Sequence, residues 1–117
     1  MRTSSPRPSG FTLVEIMIVV AIIGLLAAIA IPQLNKARRT AAQKACIMNL
    51  KAIDGAKESW ALDNRRPNGE AVDEPAVNSI ISRNSTAPLC PAGGTYTYGV
   101  VGEAPSCSLG ATDGHTL

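Results

Sequence analysis

Aromatic side chains are almost missing from this chain of 117 residues: Phe11, Trp60, Tyr96 and Tyr98 are the whole set. Once an apolar N-terminal run is set aside, about 85 residues remain, rich in Gly, Pro, Ser, Thr and Asn. That is material for one small domain with a thin core, and such cores usually need a staple or a partner. Charge is scarce too. The formal net charge is +2, and without residues 1–10, which carry Arg2 and Arg7, nine basic groups face nine acidic ones. A near-neutral chain of this kind is not an obvious nucleic-acid binder. There are only three cysteines, Cys46, Cys90 and Cys107, and one histidine, His115. They are the right residue types for zinc, but no C-x-x-C spacing supports a metal site, so none is expected. No cysteine lies in a signature for nucleophilic catalysis, so no catalytic residue, cofactor or enzymatic activity is expected.

What the chain does have is "SGFTLVEIMIVVAIIGLLAAIAIP", residues 9–32. The 21 residues from Phe11 to Ile31 contain one ionisable side chain, Glu15. As a helix they reach ~31 Å, the thickness of a bilayer's hydrocarbon core. An ionised carboxylate inside that layer costs at least ~2.5–3.5 kcal/mol, so something must offset it. Two plain readings exist, a membrane anchor or a secretory signal. Ala28-Ile29-Ala30 has the small-residue pattern of a signal cleavage site. Against the signal stand the length of the apolar run and the acid within it.

A short basic leader ending in Gly10, then Phe11, Thr12, Leu13, Val14 and Glu15, with Gly24 and Pro32 further on, resembles the signature of type IV pilins and type II secretion pseudopilins. The resemblance covers residues 4 to about 34. It implies that prepilin peptidase cuts between Gly10 and Phe11 and methylates the new amine. It also answers the question Glu15 raises. Within one subunit the amine sits one turn from Glu15. When subunits stack with an axial shift, Glu15 of one meets the Phe11 amine of the next. Two unit charges 4 Å apart at an effective dielectric of ~20 attract by ~4 kcal/mol, enough to offset the burial. The resemblance further implies loosening of the helix between Gly24 and Pro32 in filaments. Pro32 lacks an N–H and leaves the Ala28 carbonyl without its helical partner, which equally suits a simple kink.

Beyond Pro32, the residues Ala42, Cys46, Leu50, Ile53, Ala56 and Trp60 fall on one side at 100° per residue, the mark of an amphipathic helix ending near Leu62. Lys36, Arg38, Arg39 and Lys44 read as a solvated basic face. Residues 63–74 read as a loop, and Pro75 opens a short helix capped by Asp73 or Glu74, with Ile80 and Ile81 turned inward. The alternation in Thr95-Tyr96-Thr97-Tyr98 predicts a hairpin, roughly 95–100 against 106–109. His115, near the end, reads as a surface residue. The resemblance also implies a C-terminal disulfide, here Cys90–Cys107, worth ~3 kcal/mol in the chain-entropy model. Cys46 would then be buried and free, although either alternative bond from Cys46 stays open. The calcium-binding acidic loop of major pseudopilins has only a poor counterpart here in Glu103 and Asp113.

The expected fold is therefore α+β, a pilin-like lollipop of one long N-terminal helix and a small head with a short antiparallel hairpin. Residues 1–10 are the cytoplasmic leader and 11–32 the transmembrane and polymerisation helix. Residues 33–62 are its amphipathic continuation and 63–117 the head. The expected function is a structural subunit of a type IV pilus-like filament. The alternatives are a type II secretion pseudopilin or a small tethered or secreted binding domain. Expected partners are copies of the chain, prepilin peptidase, the inner membrane before assembly and an inner-membrane assembly platform, but no nucleic acid. The expected location is the inner membrane, single-pass, and then a surface filament.

Overall fold

The computed structural model describes residues 4–117, so Arg2 of the leader lies outside the described residues. The elements are α1 (Leu13–Asp63), α2 (Glu74–Ile81), β1 (Tyr96–Thr97), β2 (Ser106–Cys107) and α3 (Gly110–Asp113). This is the α+β composition expected. By its contacts the chain divides into two units, Met1–Lys36 and Ala37–Leu117.

α1 starts where Thr12 accepts the Glu15 backbone N–H on its hydroxyl at 3.2 Å. That satisfies one of the N–H groups that a helix start leaves without a partner. The helix runs without interruption through Gly24 and Pro32. In the first unit every described residue is exposed except Ala27, which is half-buried. A stretch this long and apolar meets the requirement for crossing a membrane.

In the second unit α1 buries Cys46, Leu50, Ile53, Ala56, Lys57, Trp60 and Ala61. Five of these belong to the expected stripe; Ala42, its sixth member, is only half-buried. The helix ends in a Schellman arrangement. Arg66 N–H reaches the Ala61 carbonyl at 2.8 Å and Arg65 N–H the Leu62 carbonyl at 3.3 Å. Arg65 takes the left-handed conformation, φ +53°. Glycine usually fills this position.

α2 has Pro75 in its first turn, where a missing N–H costs nothing, and Asp73 at its N-cap without a side-chain bond. It turns Val77 and Asn78 inward, while Ile80 is 47% exposed and Ile81 packs at the core margin. The expectation for Ile80 is thus corrected. In an eight-residue helix the inward positions are set by which residues meet α1, and Val77 takes that place.

The hairpin is antiparallel, Tyr96 opposite Cys107 and Thr97 opposite Ser106. It is shorter than the expected pairing because the chain from Val100 bonds elsewhere. Val100 bridges Ala71, and Val101 exchanges bonds with Gly69 and Glu70 at 2.8 and 3.0 Å. The loop after α1 is thereby tied to the head. Two apolar clusters result. Ile53, Ala56, Trp60, Ala61, Val77, Tyr98 and Val101 form one, and Cys46, Leu50, Cys90 and Cys107 the other; Tyr96 packs against both.

Candidate functional site

Two places carry chemistry. The first is the head of α1. Gly10 has open space around it, and Phe11 is 83% exposed. With Thr12 as the cap, Glu15 occupies the third helical position, inside the first turn. Its carboxylate therefore sits where the positive end of the helix dipole favours an anion. Sequence reading placed Glu15 by its distance from the amine. The T-x-x-E spacing of a capping box, which would have placed it in the first turn as well, was also readable there. Gly24 has no neighbour that an added Cβ would meet. Its small size thus serves nothing within the single chain.

The second place lies in the second unit, where the head closes on α1. Cys46, Cys90, Cys107 and His115 are all buried, and one ligand atom from each lies within 4.8 Å of all the others. None of the three cysteines is bonded to another in this structure. Cys90 Sγ lies 3.6 Å from His115 Nδ1. The expectation that His115 is a surface residue is corrected: it is 2% exposed. A tight turn brings it in. Gly114 adopts φ +68° after α3, and its carbonyl accepts a bond from Gln43 Nε2 on α1 at 3.0 Å. The segment before Cys90 is fastened by Asn49, whose Nδ2 donates to the Leu89 carbonyl at 3.0 Å and to the Tyr96 hydroxyl at 3.1 Å.

The sulfurs are not equivalent. Burial pushes the Cys46 thiol up to about 12, against a hydrogen bond from Tyr96 that favours the thiolate. Burial acts on Cys90 in the same sense, but backbone N–H groups of Ala92 and Gly94, with Cys46 and His115, outweigh it and bring it down to about 7. The turn Cys90-Pro91-Ala92-Gly93 that aims those amides is closed by Gly93 N–H on the Cys90 carbonyl at 3.0 Å, with Gly93 at φ +87°. Gly94 must be glycine for a different reason. A Cβ there would lie 2.7 Å from Cys107 Sγ.

Sequence reasoning also missed Lys57. Its side chain is 2% exposed, and its ammonium donates to the backbone carbonyls of Tyr98 and Glu103, the latter at 2.6 Å. Lys57 sits beside the stripe, and only the fold shows that the loop after Tyr98 covers it. Arg38, Arg39 and Lys44 are exposed, as a solvated face should be.

Residues 6–31 match the family described as the prokaryotic N-terminal methylation motif. That match falls on the N-terminal segment that carries the sequence resemblance. Among known proteins it is 32% identical over 82 residues to the type II secretion system core protein G of Aeromonas hydrophila, spanning 70% of this chain and 55% of that protein. It is 50% identical over 68 residues to the type IV major pilin protein PilA of Myxococcus xanthus, spanning 56% of this chain and 31% of that protein. A third relative, core protein G of Klebsiella pneumoniae, is 34% identical over 82 residues and 56% covered. The chain therefore spans about half the length of the core G proteins and less of the pilin. No solved structure matches it.

Proposed function

We propose that this chain is a structural subunit that polymerises through its N-terminal helix into a type IV pilus-like filament. The observation that carries the reading is the combination of the methylation motif with an apolar helix that, among the described residues, is exposed at every position but the half-buried Ala27. Lipid covers that surface before assembly and neighbouring helices cover it afterwards, so the same surface serves both states. In this reading prepilin peptidase removes residues 1–10 in the cytoplasm and methylates the Phe11 amine. An inner-membrane platform then moves the subunit from the membrane into the growing filament at the cell surface. Glu15 sets the axial register by pairing with the Phe11 amine of an adjacent subunit. Gly24 gives the close helix approach that the single chain does not use, and the Gly24–Pro32 segment loosens on packing. The subunit has no catalytic role of its own.

A pseudopilin role in type II secretion is favoured by one specific observation: the matches to core protein G extend over 82 residues, well beyond the motif. Both roles need the same processing. Intact-mass and N-terminal peptide analysis of the chain from its native membrane tests it, and a mature chain starting at N-methylated Phe11 is expected. A mature chain starting at Ile31 would make residues 1–30 an ordinary signal and end both filament readings. Deleting the chain then separates the two roles, since loss of surface fibres marks a pilus subunit and loss of a secreted protein marks a pseudopilin.

A further inference from the structure

Four buried side chains with metal-binding atoms converge from four separate parts of the chain: Cys46 on α1, Cys90 ahead of the hairpin, Cys107 on β2 and His115 beyond α3. We propose that they form a structural zinc site, with three thiolates and one ring nitrogen of His115 as ligands. The donor set is the Cys₃His type that closes a tetrahedral structural site. Ligands at ~2.3 Å (sulfur) and ~2.0–2.1 Å (nitrogen) from a tetrahedral zinc lie ~3.5–3.8 Å from one another. The cluster already has its ligand atoms within 4.8 Å, so a bound ion needs only a small contraction.

The surroundings fit the ion as well as the ligands do. Zinc with three thiolates carries a formal charge of −1, which a buried site must offset with donors. Groups of that kind are at hand: the backbone N–H groups of Ala92 and Gly94 favour the Cys90 thiolate, and the Tyr96 hydroxyl favours that of Cys46. Asn49 holds the Tyr96 hydroxyl in turn. A disulfide between any two cysteines would use half of this arrangement and leave a buried thiol and a buried imidazole beside it. A metal uses all four groups. It also supplies the staple that a head with so small a core needs, tying α1 to three later segments at one point. The absence of C-x-x-C spacing is no obstacle, because the fold supplies the proximity that such spacing supplies locally in other zinc sites.

The test uses the full chain, extracted in detergent and purified without reductant or added metal. Elemental analysis is expected to give about one zinc per chain. Replacement by cobalt(II) should give the visible bands of a tetrahedral site together with sulfur-to-cobalt charge transfer. His115→Ala and Cys46→Ser, which both spare Cys90 and Cys107, should each lose zinc to a chelator far faster than the parent. Tyr96→Phe should weaken zinc binding by about tenfold, through the lost donor to sulfur. The proposal is overturned if peptide mapping finds a Cys90–Cys107 or other disulfide in a zinc-free chain. It is equally overturned if His115→Ala and Cys46→Ser retain zinc like the parent, or if the parent shows no tetrahedral cobalt spectrum. None of these results bears on the filament reading, which rests on residues of the N-terminal segment.

Discussion

Lys57 puts an ammonium into the head's interior and satisfies it with two backbone carbonyls rather than with a carboxylate. Burial lowers its pKa from the ordinary 10.5, against the opposing pull of Asp54 and Glu103. Between the lowered value and 10.5 the unfolded chain therefore binds more protons at this site than the folded one, and stability rises with pH. The contribution is complete above 10.5 and is lost as pH falls to the folded value. Urea titrations of parent and Lys57→Met chains in detergent, from neutral pH to 10.5, should show the parent gaining stability relative to the variant as pH rises. A constant difference would mean that the ammonium is solvated. Trp60 is the other decisive single residue. It is 8% exposed, with the Arg66 guanidinium 6.0 Å above its ring. Trp60→Ala should cost ~3–5 kcal/mol by the same measurement, since few large side chains are present to fill the gap.

Among the elements, the end of α1 contains a local conflict. Both Schellman bonds form, yet the left-handed position is occupied by Arg65, which has a Cβ. A non-glycine residue held there costs of order 1 kcal/mol. Arg65→Gly is therefore expected to raise the unfolding midpoint by about that free energy, and an unchanged or lower midpoint would show that the arginine side chain makes a compensating contact. The hairpin shows the opposite economy. Two residue pairs cannot stand alone as a sheet. Its place is fixed by Tyr96 against both apolar clusters and by the Thr95–Ser108 bonds, 2.9 Å between backbones and 3.0 Å from the Thr95 N–H to the Ser108 hydroxyl.

For the molecule as a whole, the exposed apolar helix is the dominant feature. Among the described residues the apolar part of α1 is almost wholly exposed, a surface that is unfavourable in water and suits lipid or contact with other helices. If Glu15 sets register against a neighbour's amine, Glu15→Ala should still be cleaved and methylated but fail to enter filaments. Filament yield equal to the parent, measured by shearing and quantifying fibres, would remove that role. The helix itself does not need the carboxylate, because Thr12 still caps its first turn through the hydroxyl.

How much of this was legible follows from the range of the interactions involved. The membrane-length helix, its continuation to Asp63, the buried stripe and the methylation motif depend on residue apolarity and on spacings of three to five residues, and these are written directly in the chain. Pro75 and the alternation near Tyr96 located α2 and the hairpin for the same reason. The burial of His115 and Lys57, the short register of the hairpin and the meeting of three cysteines with one histidine were settled by tertiary structure alone. They depend on where a turn, a side-chain tether such as Gln43 to Gly114 or a backbone bond such as Val101 to Glu70 brings distant segments together. Composition named the ligands, but proximity between residues far apart in sequence is a property of loop paths, and no periodicity encodes those.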